Sequence, residues 1–529
     1  MLDDRDLAQL GEVGISLEEA RRQIRLLEHP PASIVLDRAC TVGDGIRVLD
    51  EAERREAARC HEEACRQGRL LKLVPASGAA SRMFEALLAV QNDADMERIE
   101  DVRKAATRGD ANASALLEFL AGLRKFAFFE SLQAILARRG RSIDELEARG
   151  AFGEIVDALL GPHGLDYANQ PKGLLEFHRY AGENRTAFEE HLVEATEYVR
   201  DAKGRCRIHL TVSPEHRSGF AARLKRTGAG YEQRYGASFD VDFSLQKRST
   251  DTLAVDEANE PFRHADGSLL LRPGGHGALI ENLNDLRADL IHVQNIDNVV
   301  PDRLRGQTTE SKKMLIGHLV GIQAKGFSLL EELQASEGPP PRLLEEARDF
   351  ARRVLAVEVP AEVQRSGGRQ RSFLIDRLDR PLRVCGVVRN TGEPGGGPFW
   401  VRGRNGAVTL QIVESAQVDA DDPAQRRIFA SATHFNPVSL VCGLRKWQGE
   451  SFDLRQFVDP EAVFIARKSK DGCQLKALER PGLWNGAMAN WNTVFVEIPE
   501  INFTPVKTVN DLLRAEHQQI VVVIEELGR

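Results

Sequence analysis

Residues Leu70-Leu71-Lys72-Leu73-Val74 break a helical stretch with a short β-type run, which ends at Pro75 in a turn of small residues, Ala76-Ser77-Gly78-Ala79-Ala80-Ser81. No other feature constrains the fold as much. A buried strand that feeds a small-residue turn and then helical periodicity belongs to an open α/β sheet, whose ligands sit beyond the carboxyl ends of the strands. Four more apolar runs, at 206–212, 290–293, 383–388 and 407–413, read as strands, and helical patterns such as 186–201 and 277–286 lie between them. This alternation predicts an α/β fold with a mainly parallel, mixed sheet and helices on its faces.

The flanking regions read differently. Residues 1–67 form an N-terminal helical segment: Ser16-Leu17-Glu18-Glu19 has the form of a capping box, Leu17, Ala20, Ile24 and Leu27 share one helical face, and 51–66 is a second, highly charged helix. Residues 68–515 form one discontinuous core with helical insertions at about 84–160 and 303–366, and 516–529 form a C-terminal tail. Phe126, Phe128 and Phe129 are the expected anchors of the first insertion, and Gly338-Pro339-Pro340-Pro341 breaks the second. The chain has 71 Lys and Arg against 79 Asp and Glu, a formal charge of −8, which argues against nucleic-acid or anionic-membrane binding. No apolar run approaches the ~20 residues that span a bilayer. Seven cysteines without a CxxC pair suit buried thiols in a reducing compartment. A soluble, cytoplasmic protein is expected; its oligomeric state is open.

Five segments carry candidate chemistry. In the turn, Ser77, Gly78, Ala79, Ala80 and Ser81 let backbone N–H groups approach an anion, a helix starting near Ser81 adds its positive end, and Arg82 supplies a planar charge suited to phosphate oxygens. Lys172, between Pro171 and Gly173, is a point charge for a phosphate. Pro273-Gly274-Gly275-His276-Gly277 is a glycine-rich turn. Asn295-Ile296-Asp297-Asn298 ends an apolar strand with a carboxylate, where Mg²⁺ needs only one or two protein oxygens besides phosphates. Asn502-Phe503-Thr504-Pro505-Val506-Lys507 ends the series and says little alone. A glycine-rich run at 390–399 has no assigned role; a structural loop is the expectation.

In this order the segments resemble the sugar nucleotidyltransferases, above all the UDP-sugar pyrophosphorylases and UTP–glucose-1-phosphate uridylyltransferases. Gly78, Ser81 and Arg82 match the Gly, Thr and Arg of that family's Ala-Gly-x-Gly-Thr-Arg signature. Pro171-Lys172-Gly173-Leu174-Leu175 resembles its Pro-Lys-x-Leu-Leu, Pro273–Gly277 its Pro-Gly-His-Gly, Asn295–Asn298 its Asn-x-Asp-Asn, and Phe503–Lys507 with Asp511-Leu512-Leu513 its Phe-Leu-Pro-Val-Lys-x-x-x-Asp-Leu-Leu. The string Pro75-Ala76-Ser77-Gly78-Ala79-Ala80-Ser81-Arg82-Met83 and the length resemble the bacterial family designated domain of unknown function 4301.

The resemblance implies a GT-A-like (Rossmann-like) nucleotidyltransferase core and transfer of a nucleotidyl group, UTP being the favoured donor, to a sugar 1-phosphate with release of pyrophosphate. Arg82, Lys172 and Lys507 would be catalytic. Ser77 to Ser81 with Gln246, Gly275, His276 and Gly277 would bind the nucleotide, and Asp297 would hold Mg²⁺. Ala80 departs from the signature: its methyl replaces a glycine hydrogen and crowds a phosphate unless the loop takes another path. A β-helical tail of the kind many related pyrophosphorylases carry is not expected. Two alternatives stay open, a GT-A glycosyltransferase using an NDP-sugar donor and a catalytically silent nucleotide-binding protein.

Overall fold

The computed structural model describes residues 2–392, 395–404, 406–470 and 472–519. The 516–529 tail therefore lies largely outside the described residues, as do Glu393 and Pro394 of the glycine-rich run. The chain divides into two compact units: Met1–Leu73, Ser244–Val293 and Ser311–Glu500 make the first, and Val74–Phe243, Gln294–Glu310 and Ile501–Arg529 the second.

In the first unit, a central sheet runs in the order Thr41–Val42, Gly45–Arg47, Asn492–Glu497, Leu382–Arg389, Ser439–Gly443, Leu290–Gln294 and Leu70–Pro75. Pairing is parallel between Leu382–Arg389 and Asn492–Glu497 and between Leu290–Gln294 and Leu70–Pro75, and antiparallel between Leu382–Arg389 and Ser439–Gly443. The inner strands read as mostly apolar runs because both faces are covered: Leu382–Arg389 is buried at every position but its last, its Arg383 included. Leu73, Ile291, Val293, Cys385, Leu440, Cys442 and Phe495 meet in one core. The fold is thus α/β with a mostly parallel mixed sheet, as the alternation predicts. Two smaller antiparallel sheets complete this unit: Leu271–Arg272 with Thr252–Val255, Cys473–Glu479 and Phe464–Lys470, and Val35–Ala39 with Gly397–Arg402 and Val408–Val413. Of their strands only Val408–Val413 coincides with an apolar run read from the sequence.

Residues 1–67 are not wholly helical. Helices Asp4–Val13, Leu17–Glu28 and Glu51–Arg66 flank three short strands, Val35–Ala39, Thr41–Val42 and Gly45–Arg47. Such strands have no period of their own; Val35–Ala39 exists because Gly397–Arg402 pairs with it. The glycine-rich run is explained by packing. A Cβ on Gly395 would stand 2.1 Å from the Phe435 ring, and one on Gly396 2.8 Å from Ile412.

In the second unit, residues 84–160 are helical, from Glu85–Gln91 to Phe152–Leu160. Phe126 and Phe128 are buried and stacked at 4.8 Å, with Phe119 5.2 Å from Phe126. Phe129 is only half-buried, under the Arg124 guanidinium, so it anchors less than expected. The hairpin Glu176–Tyr180/Glu183–Thr186 leads through a Thr186–Glu189 capping box into helix Ala187–Tyr198. That helix is buried nearly all round although it carries Glu189, Glu190, His191 and Glu194. Buried charges need partners, so the helix brings a polar network into the interior of this unit. The region 303–366, which from Ser311 onward belongs to the first unit, comprises helices Asp302–Ala335, Pro341–Leu355 and Ala361–Gln364.

Candidate functional site

The small-residue turn is pinned at both ends. Ala76 N donates to Thr211 O at 2.8 Å, at the end of strand Arg205–Val212, and Ala80 N donates to Gln170 O at 3.0 Å. Between them Ser77, Gly78 and Ala79 are exposed. Ala80 is fully buried, so its methyl packs inward; the loop takes the other path, and the substitution for glycine does not crowd its exposed side. The expected helix near Ser81 is a correction: Ala80–Phe84 is a single 3-10 stretch and the α-helix begins at Glu85, because Met83 and Phe84 turn into the core. Anion binding here would rest on exposed backbone and the exposed Arg82 side chain, with little help from a seven-residue helix.

Three segments distant in sequence interlock beside this turn. Ala79 bridges Pro171, and Lys172 N donates to Gly78 O at 3.4 Å. Lys172 Nζ donates to Asp297 Oδ2 at 2.9 Å and to Val506 O at 2.8 Å. Val506 N donates back to Asp297 O at 3.0 Å. The residue after Val506 is Lys507, which is exposed, its Nζ 5.6 Å from the centre of the Phe503 ring. Its backbone is set by Asp511, whose Oδ2 accepts from Lys507 N at 2.8 Å and from Thr508 N at 2.7 Å. The turn, Lys172, Asp297 and the Lys507 segment are therefore brought together in one unit.

Sequence reasoning missed the residues that do the holding. Asn298, buried, donates to Asn502 O at 2.9 Å and accepts from Thr504 N at 2.9 Å, zipping the last segment to the strand end. His191, fully buried, bonds the Ile296 carbonyl at 3.2 Å next to Asp297. Asn298 lay within the quoted motif; His191 had no signal beyond being a histidine on a glutamate-rich helix.

The remaining predicted residues lie in the first unit. Gln246 is half-buried at the start of a turn. Gly275 has φ +74°, and a Cβ on Gly277 would stand 2.1 Å from Pro481 O, so close backbone packing alone accounts for these glycines. His276 stacks on Trp484 at 4.2 Å and its Nδ1 accepts from Leu483 N at 3.0 Å; burial lowers its pKa. A cavity of about 1250 Å³ in this unit, lined among others by Arg38, Arg47, Arg377, Trp400 and Phe495, includes none of the predicted site residues.

Among the described residues no group of three or more His, Cys, Asp or Glu side chains could hold a metal ion, and no helix is long and apolar enough to cross a membrane. Asp297, a part-exposed carboxylate at a strand end, fits Mg²⁺ only as a single protein ligand to an ion whose other positions are filled by phosphates and water.

A family described as "Domain of unknown function (DUF4301)" matches residues 3–518. The chain belongs to this DUF4301 family. A comparison of this DUF4301 protein with curated proteins found no match. Among solved structures it is similar to a mutant UDP-glucose pyrophosphorylase from Leishmania major, at 13% identity and TM-score 0.45 over 97% of this chain and 79% of that one. It is also similar to the uridine diphosphate N-acetylglucosamine pyrophosphorylase from Trypanosoma brucei, at 11% identity and TM-score 0.44 over 94% and 74%. A third is a UDP-glucose phosphorylase from Trypanosoma brucei, at 13% identity and TM-score 0.44 over 97% and 80%.

Proposed function

We propose that this DUF4301 protein is a nucleotidyltransferase that joins an NTP, with UTP favoured, to a sugar 1-phosphate. The observation that supports this reading is the Lys172 ammonium shared between the Asp297 carboxylate and the Val506 carbonyl, with its own backbone bonded to Gly78. Segments from four of the resembling motifs thereby meet at one point. In the reaction an oxygen of the sugar phosphate attacks the α-phosphorus; a new P–O bond forms, the bond to the β-phosphate oxygen breaks, and pyrophosphate leaves with the electron pair. The attacking group is already an anion, so no general base is needed, and the barrier is repulsion between polyanions plus charge growing on the leaving group.

The chain's residues answer that barrier by charge and position. The 77–81 backbone and Arg82 would grip the β- and γ-phosphates. Lys172 would turn from Asp297 toward the triphosphate, and Lys507 would steady the sugar phosphate against the α-phosphate. Bound Mg²⁺, held by Asp297, would neutralise phosphate charge. Gln246 and the Gly275-His276-Gly277 turn would serve the base by resemblance alone; His276, stacked and buried, would act through the shape of its turn. The test is pyrophosphate release from four NTPs against a panel of sugar 1-phosphates with Mg²⁺. Arg82→Ala and Lys507→Ala should each lower turnover by ~10²–10³-fold with little change in melting temperature, because both side chains are exposed. Wild-type rates in both variants would refute the site.

A further inference from the structure

Behind the segment that carries Lys507, the second unit holds a chain of buried polar groups that the proposed reaction does not use. His178, fully buried on strand Glu176–Tyr180, has Nδ1 3.0 Å from Glu190 Oε1 and Nε2 3.0 Å from Nδ1 of His517. His517 is 3% exposed and comes from the far end of the chain. Glu190 also accepts from the Tyr180 hydroxyl at 2.7 Å, with Arg185 Nη1 3.7 Å from its other oxygen and 2.6 Å from Asp302. Burial holds the His517 ring neutral, its pKa pushed down to about 3. Whichever ring carries the proton between them, one N–H spans the two imidazoles.

The anchor bears on Lys507 through a short path. The Thr504 backbone faces the His517 ring. Arg303 Nε donates to Gln518 O at 3.0 Å, Arg514 pairs with Asp511 at 2.7 Å, and Asp511 sets the Lys507 backbone. The segment from Asn502 to Gln518 is thus held at its front by Asn298 and at its rear by His178. A purely apolar seat would keep the segment in place by packing but leave its rotation and register loose, whereas a linear N–H···N bond fixes direction as well as distance.

We propose that Glu190, His178 and His517 form a buried tether whose task is to hold the Lys507 segment in its reactive pose, which makes the two histidines positioning residues. The inference rests on the proposed nucleotidyl transfer for its catalytic consequence, though not for its structural one. His517→Phe keeps a flat ring and removes the bond; His517→Asn returns an amide that bonds His178.

Two measurements test it on the full-length chain. By amide hydrogen exchange, His517→Phe should exchange at least ~10-fold faster across 502–513, with the 77–82 turn unchanged, and His517→Asn should restore protection. With UTP, Mg²⁺ and the sugar 1-phosphate found active, His517→Phe should lose ~10–100-fold in kcat from misplacement while UTP affinity stays within about twofold, and His517→Asn should recover most of the rate. Unchanged exchange in His517→Phe, or a His517→Asn variant as impaired as it, overturns the tether. Should His517→Phe not fold, His178→Phe takes its place, because it removes the same N···N bond from the other side: faster exchange across 502–513 supports the tether and wild-type exchange overturns it. If the wild-type protein releases pyrophosphate with no substrate pair, the proposed function falls, and the exchange experiment alone decides the tether.

Discussion

Replacing Asp297 by Asn should make the protein less stable and slower with Mg²⁺, yet a tighter binder of metal-free triphosphate. The reasoning starts from the 2.9 Å contact between Lys172 Nζ and Asp297 Oδ2. At that distance the direct attraction is about 6 kcal/mol for an effective dielectric of about 20 and about 1.4 kcal/mol in water. The side chains are 14% and 19% exposed, so desolvation and screening cancel much of it. A net loss of ~1–2 kcal/mol is expected, below the value for a fully buried pair. In the proposed site, Lys172 freed from its carboxylate would turn to the phosphates at no cost of breaking an ion pair, with one negative charge fewer near them. Recovery of about 1.4 kcal/mol would tighten UTP binding in EDTA ~10-fold, while loss of the proposed Mg²⁺ ligand should lower turnover ~10²-fold. Denaturant unfolding, calorimetric titration of UTP in EDTA and pyrophosphate release read the three effects. Weaker UTP binding in EDTA would refute the assignment of Lys172 to the triphosphate.

Two glycines should behave oppositely. Gly277→Ala drives a Cβ to 2.1 Å from Pro481 O and should cost ~1–3 kcal/mol in urea unfolding, whereas Gly78→Ala meets nothing within 4 Å and should leave stability unchanged while weakening triphosphate binding. Asn298→Ala leaves the Asn502 carbonyl and the Thr504 N–H without their partner and should cost ~2–4 kcal/mol, read by the same unfolding midpoint. The folded-state pKa values of His517, about 3, and His318, about 4, lie below the ordinary 6.5. The unfolded chain therefore binds more protons between those values, so stability is whole above about pH 6.5 and falls as pH drops toward 3–4. Well below 6.5, each further unit of pH should cost about 1.4 kcal/mol per depressed histidine, seen as a falling melting temperature that His517→Asn makes shallower.

How much of this could be read from the residues depended on whether the signal was local. The strand at 70–75 and its turn were visible because apolar run, proline and small residues sit side by side, and Lys172 and Asp297 because charged groups stand at element ends. The interlock itself was not visible: Asn298 meets Thr504 and His178 meets His517 across hundreds of residues, and no periodicity records such a meeting. The strands at 35–47 escaped for the converse reason, since two to five residues carry too little pattern and owe their form to distant partners. Ala80 and Gly277 mislead in opposite senses. The first resembles a defect in a phosphate loop yet faces the core, and the second resembles a ligand-approach glycine yet is demanded by the Pro481 carbonyl.

The chain passes between its two units at 73/74, 243/244, 293/294, 310/311 and 500/501. Neither unit is a continuous stretch, so no single cut in the gene yields either one whole. An excised 74–243 fragment would lack Asp297, Val506 and His517, and with them the carboxylate and carbonyl that hold the Lys172 ammonium and the ring that faces the buried His178. Attempts to trim this protein to either unit alone by a single truncation should therefore return insoluble material.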